Sequence, residues 1–202
     1  MFRVSRKKNI FYTKSGTHAL VTALKSLNFP RGTEVLIPDF TCIWVLLSCH
    51  FAGLCPKVVD VSKKDYNINL DLLDSALTDK TRVLISVESF GSKSSSELLS
   101  KFCKEKSLIY VNDQANGTFN LNTFQSHSDM TVLSFGSNKY LECGGGGLLV
   151  VNNKTHLSKI TNANLNNKRY FNFNSDRVVS LMYNYFAAKF AKREINFYSI
   201  NS

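Results

Sequence analysis

Ser134-Phe135-Gly136-Ser137-Asn138-Lys139-Tyr140-Leu141-Glu142-Cys143 runs without a break into four glycines, residues 144–147. Residues 131–135 ahead of it form an apolar run that reads as a strand, and a second apolar run follows the glycines at 148–151. Lys139 therefore stands just past a strand end. Upstream, Leu108-Ile109-Tyr110-Val111 is another apolar run, closed by Asn112-Asp113. Continuous apolar runs of this length are expected of strands covered on both faces.

The same reading extends along the chain. It predicts strands at 34–37, 57–61, 82–87, 108–111, 131–135 and 148–151, and helices at 17–27, 41–51, 70–77 and 96–106. Strands alternating with helices imply an α/β domain with a mainly parallel sheet and crossover helices. The 202 residues suffice for one sizeable domain with its own core. In such sheets functional loops gather beyond the carboxyl ends of the strands, and Asp113 and Ser134 fall at or near such ends.

A lysine past one strand end and an aspartate closing another can form a cofactor site. The lysine amine holds the aldehyde of pyridoxal 5'-phosphate, and the carboxylate pairs with the protonated pyridine nitrogen. Taken singly, each residue reads as well as a solvated loop lysine and a turn aspartate. A third element bears on the choice. Ser15-Gly16-Thr17-His18-Ala19-Leu20 opens a helical pattern with apolar positions at Leu20, Val21, Leu24 and Leu27. Ser15 or Thr17 can cap that helix, and a helix amino terminus offers free N–H groups and partial positive charge to a phosphate. By itself this segment is equally an ordinary capped helix.

In this order the segments resemble the DegT/DnrJ/StrS-type sugar aminotransferases, which use pyridoxal phosphate on the fold-type-I scaffold. The likeness runs from about Ser15 to Asn153. It includes Ser15-Gly16-Thr17-x-Ala19-Leu20, then Glu34-Val35-Leu36-Ile37-Pro38-Asp39-Phe40-Thr41-Cys42, then Ala52-Gly53 with Pro56 and Val59-Asp60-Val61. Asn112-Asp113-Gln114-Ala115-Asn116, Ser134-Phe135-Gly136-x-x-Lys139 and the glycine run complete it. The resemblance implies that Lys139 bonds the cofactor and that Asp113 pairs with its ring nitrogen. Ser134 and the Gly16-Thr17 backbone, with the Thr17 hydroxyl, would bind the phosphate. Where the family usually has glutamine or histidine on the ring hydroxyl, this chain has Asn116, a shorter amide. The family's aromatic ring against the cofactor falls at Cys42, with Trp44 two residues on, and Trp44 reads equally as a core residue. A histidine usually stands two positions before the family's Phe-Gly; here that place holds Glu88, and no role follows for it.

What the resemblance implies about activity is transamination, with an amino acid donor and a nucleotide-linked keto-sugar acceptor, in surface polysaccharide synthesis. It also implies a site built at a homodimer interface. Full family members continue into a small domain after the lysine-bearing one. The chain accordingly divides into a large cofactor-binding domain, residues 1–153, and a basic, aromatic-rich helical segment, residues 154–202. Retention of the fold and of cofactor binding without catalysis is the alternative.

The remaining composition narrows the choice. Cys42, Cys49, Cys55, Cys103 and Cys143 lack metal-ligand spacing, and the four histidines are scattered, so neither a metal site nor a Ser-His-Asp triad is expected. Cys42 and Cys49 are expected to pack one helix face as small apolar residues. An odd cysteine count with no secretory signal points to a reducing cytoplasm, and no apolar stretch is long enough to span a bilayer. Net charge is +10, much of it beyond residue 153 and interleaved with Tyr170, Phe171, Phe173, Tyr183, Tyr185 and Phe186. That segment could bind nucleic acid or an anionic membrane face. Equally it packs on a further domain with its lysines in water, the reading favoured because no nucleic-acid motif accompanies the charge.

Overall fold

The computed structural model describes residues 9–91, 95–117, 127–140, 142 and 144–160, with Phe90 described by its backbone alone. Among these, seven strands form one sheet: β1 Ile10–Thr13, β2 Glu34–Pro38, β3 Cys55–Val59, β4 Thr81–Val87, β5 Ile109–Asp113, β6 Met130–Ser134 and β7 Gly147–Val151. The order across the sheet is β1-β7-β6-β5-β4-β2-β3. Strands β3, β2, β4, β5 and β6 pair in parallel, while β7 runs antiparallel to both β6 and β1. The sheet is therefore mainly parallel, as the alternation of strands and helices implies.

Side-chain alternation along these strands divides the core into two layers. Val35, Ile37, Val83, Ile85, Val87, Val111 and Val132 lie on one face with Ala19, Leu20, Leu24, Val45 and Cys49 from helices α1 Gly16–Ser26 and α2 Ile43–Phe51. Leu36, Leu84 and Tyr110 face the other way, against Leu73 of α3 Leu73–Ala76 and Leu99 and Cys103 of α4 Ser96–Glu105. Helix α1 is buried on nearly every side, which explains why Thr22 and Ser26 join its apolar residues in the interior. By contrast α4 is amphipathic, burying only Leu99, Ser100 and Cys103.

Several boundaries differ from those expected. Strand β1 was absent from the sequence reading; four residues at a sheet edge, with Tyr12 exposed, carry little periodic signal. The helix expected at 41–51 begins at Ile43, because Cys42 has extended backbone (φ −64°, ψ 137°) as the N-cap. Cys42 is consequently exposed while Cys49 is fully buried, so the two do not pack a common face. The helix expected at 70–77 is a 3₁₀ turn, Leu70–Leu72, followed by the single turn of α3, which ends where Leu77 becomes extended. After β7, Asn153 caps a 3₁₀ helix, Lys154–Lys159. The rest of the basic C-terminal segment and residues 92–94 lie outside the described residues.

Candidate functional site

Parallel pairing brings the ends of β4, β5 and β6 together at one edge, and the antiparallel β7 starts at that same edge. Asp113 ends β5 opposite Val132 of β6, and Ser134 lies two residues further along β6 on the same face. Ser134 also pairs with Gly147, which in turn pairs with Thr13 of β1. The segment after Thr13 turns directly into α1.

The amino terminus of α1 is built by close packing. Ser15 is extended (φ −165°, ψ 167°), and its Oγ accepts the His18 N–H at 3.1 Å. Its carbonyl accepts the Ala19 N–H at 3.0 Å. The first-turn N–H groups precede these bonds and have no partner within the helix. A Cβ on Gly16 would come within 2.7 Å of the Ser134 Cβ and 3.1 Å of its Oγ. The helix end and the Ser134 hydroxyl thus converge on one small polar cup.

Between β6 and β7 the chain turns back through the glycine run. Gly144, Gly145 and Gly146 have φ of +73°, +133° and +96°, values that residues with a Cβ rarely adopt. Phe135 N–H bonds the Gly146 carbonyl at 3.0 Å, and Gly145 N–H bonds the Phe135 carbonyl at 3.1 Å. The run closes a hairpin and brings the loop carrying Lys139 close to neighbouring backbone. Lys139 is half-buried, and its Nζ donates to Asn116 Oδ1 at 2.6 Å.

Asp113 is 5% exposed, and its Oδ1 accepts the Ala115 N–H at 2.9 Å. Burial pushes its carboxyl up to about 6. The Ala115 bond and the Lys139 charge oppose that rise, while the charge of Glu88 adds to it. This loop edge therefore brings together a half-buried amine, a buried carboxylate and a helix amino terminus with a hydroxyl beside it.

Residues 3–185 match the model of the DegT/DnrJ/EryC1/StrS aminotransferase family. The chain belongs to that family. It is 27% identical over 144 residues to a GDP-perosamine synthase of Escherichia coli O157:H7, a match covering 70% of this chain and 40% of that protein. A UDP-N-acetyl-3-dehydro-alpha-D-glucosamine 3-aminotransferase of Acidithiobacillus ferrooxidans is 30% identical over 148 residues, covering 72% and 40%. The crystal structure of NtdA from Bacillus subtilis, with its cofactor PMP bound, superposes with a TM-score of 0.70 at 24% identity, over 75% of this chain and 35% of that one. The chain spans about two fifths of the length of these curated relatives. The sheet and its flanking helices are those of the fold-type-I transferases, as expected from the sequence.

Two features of this family member were not legible in advance. Glu88, to which no role was given, is 5% exposed and sits at the centre of the site's polar network. Its Oε1 accepts Asn112 Nδ2 at 3.0 Å and Gln114 Nε2 at 2.8 Å. The available signal was a carboxylate directly closing a long apolar strand. Trp44 is 37% exposed and so is not a core residue. Cys42 is exposed too, and Thr41 Oγ1 is buried without a hydrogen-bond partner in the structure.

Proposed function

We propose that this chain is the cofactor-binding domain, residues 1–153, of a pyridoxal-phosphate-dependent aminotransferase that acts on nucleotide-linked keto-sugars for surface polysaccharide. The observation that carries this reading is the meeting of Lys139, Asp113 and the α1 amino terminus at one sheet edge. The residues present fit the cofactor. The tight Gly16–Ser134 cradle offers N–H and hydroxyl donors to a phosphate. Asp113 offers a buried carboxylate to a cationic ring nitrogen, and Lys139 offers an amine.

When bound, pyridoxal phosphate supplies an aldehyde for an amine and an electron-withdrawing ring for the substrate carbon. The protein's own groups do the rest. Gly16, Thr17 and Ser134 anchor the phosphate. Asp113 holds a proton on the ring nitrogen, since a buried carboxylate next to a cation favours that pairing. Lys139 would hold the cofactor through its Nζ, and its amine would be the group placed to move a proton at the substrate carbon. Asn116 aims that amine through the 2.6 Å bond.

The sugar-nucleotide substrate class is supported by the GDP- and UDP-linked sugars in the names of the relatives above. An amino acid donor, a homodimer and a cytoplasmic setting belong to the same proposal. No helix among the described residues is long and apolar enough to cross a membrane. Cofactor binding without turnover is the second reading.

The test is direct. Purified chain is mixed with pyridoxal phosphate, reduced with borohydride and mapped by mass spectrometry, then assayed with glutamate and a GDP- or UDP-linked keto-sugar. Label on Lys139 with turnover supports the first reading, and label without turnover the second. No label on Lys139 removes both.

A further inference from the structure

Glu88 grips the segment carrying Asp113 at three successive residues. Its side chain accepts the amides of Asn112 and Gln114, which flank Asp113 in sequence, and its backbone N–H donates to the Asp113 carbonyl at 2.9 Å. The grip is anchored from behind. Ser86 Oγ donates to Asn112 Oδ1 at 2.9 Å and lies 2.9 Å from the Tyr110 hydroxyl. The Ser86 proton goes to Asn112, so the Tyr110 hydroxyl donates to Ser86. Every donor in this chain thus runs one way, Tyr110 to Ser86 to Asn112 to Glu88, and ends on the carboxylate. Tyr110, Ser86 and Asn112 are all at most 1% exposed.

The far side of Glu88 is also closely packed. A Cβ on Gly117 would lie 2.8 Å from Glu88 Oε2 and 3.3 Å from its Cβ. Gly117 N–H closes a turn onto the Gln114 carbonyl at 3.1 Å, and that turn carries Asn116 to Lys139. One buried carboxylate therefore braces both the strand end bearing Asp113 and the turn that meets the lysine. Hydrogen-bonded buried polar networks fix geometry in this way, although Gln114 Oε1 in this one has no partner among the described residues.

We infer that Glu88 is a positioning residue for Asp113, holding residues 112–114 in place and setting a second negative charge beside that carboxylate so that it binds a cationic ring more tightly. This rests on the proposed cofactor reading. Two charged groups bear on Asp113 among the described residues: Lys139, from the β6–β7 loop, and Glu88, from the end of β4. They act in opposite directions, so removing Glu88's charge takes away one of the two effects that raise Asp113 and leaves burial to oppose Lys139. A carboxylate so relieved is a weaker base toward its ring partner.

Glu88→Gln separates charge from shape. The glutamine oxygen in the Oε1 position still accepts both amides, while the charge is lost and the Oε2 position becomes an amide donor. In the cofactor-free full chain, the Asp113 carboxyl resonance is followed by carbon NMR against pH and assigned by its loss in Asp113→Asn. Its midpoint is expected to fall in Glu88→Gln, with affinity for pyridoxal phosphate weakened on the order of threefold to tenfold. An unchanged midpoint or an unchanged affinity in the folded variant overturns the proposal. Should Glu88→Gln not fold, Gln114→Leu takes its place, removing one of the two amides on Glu88; affinity equal to wild type then overturns it. A wild-type chain that binds no pyridoxal phosphate defeats the cofactor reading instead, and the midpoint alone then decides whether Glu88 acts on Asp113.

Discussion

Gly147 lies so close to Ser15 that a Cβ there would stand 2.5 Å from the Ser15 carbonyl carbon and 2.6 Å from its oxygen. The Gly16 nitrogen would be 2.7 Å away. All three atoms are backbone, so no side-chain rotation can make room. The contact joins the start of β7 to the start of α1, and Ser15 also bridges to Gly146. The last glycine of the run and the polar cup at the α1 amino terminus are thus one packing unit, although more than 130 residues separate them in sequence.

Gly147→Ala is expected to push the α1 amino terminus away from Ser134 and to destabilise the protein by about 1–3 kcal/mol, the usual cost of overpacking. Gly144→Ala is the contrast. A Cβ there meets nothing within 4 Å, and only the φ of +73° resists it, a cost of about 1 kcal/mol. Urea unfolding measures both. Phosphate-ester binding should weaken in the first variant and stay intact in the second. Equal phosphate affinity in Gly147→Ala would remove that glycine from the site.

Asp113 makes stability depend on pH in a direction opposite to most carboxylates. Its folded value of about 6 lies above the ordinary 3.8, chiefly through burial. Between those values the folded state binds more protons than the unfolded one, so stability falls as pH rises through that window. Without cofactor the loss by neutral pH is on the order of 2–3 kcal/mol. Asp113→Asn keeps the Oδ1 acceptor for Ala115 and carries no charge to bury. It should therefore be more stable than wild type at pH 7 and nearly equal to it at pH 4, while turning over far more slowly. Denaturant titrations at the two pH values decide this, and a variant less stable at pH 7 would contradict it.

The sheet was readable because its central strands are continuous apolar runs bounded by turn residues, as in Val83-Leu84-Ile85 and Leu148-Leu149-Val150. The residues proposed to face the cofactor stand out in the sequence because Asp113, Ser134 and Lys139 lie at or just past strand ends and in a recognisable order. What the sequence hid was lateral pairing. Nothing local shows that Glu88 would meet Asn112 and Gln114, 24 and 26 residues away. Nor does any periodicity show that the Asn116 amide would meet Lys139. β1 escaped notice because an edge strand of four residues has one buried face at most.

Lys139 carries little packing, being half-buried in a loop with one hydrogen bond from its amine. Lys139→Ala should change stability by no more than about 0.5 kcal/mol. It should also abolish all borohydride-fixed cofactor while leaving reversible phosphate-dependent binding. Loss of the label together with loss of the fold would not count in favour. A reducible adduct retained in the folded variant would move the assignment to another lysine.

Assembly gives the last prediction. Phe40 and Trp44, from the turn after β2 and the first turn of α2, are 38% and 37% exposed, and Tyr66 is 57% exposed. The rings of Phe40 and Tyr66 meet in a tilted contact, with centroids 5.6 Å apart and an interplanar angle of 48°. A single exposed ring is ordinary on a protein surface, but a ring pair with a neighbouring tryptophan is the kind of patch that marks an association surface. Phe40 and Trp44 follow β2, and Tyr66 follows β3, at the same sheet edge that holds Asp113. If association covers that edge, it completes the site, and cofactor affinity should rise with protein concentration. The chain is expected to form a dimer or larger species at moderate concentration and to lose cofactor on dilution. Sedimentation across a concentration series, with cofactor occupancy read in parallel, tests both statements. A monomer whose cofactor affinity is independent of concentration would exclude a shared site, and Trp44→Ser should shift the series toward monomer if the patch is the surface involved.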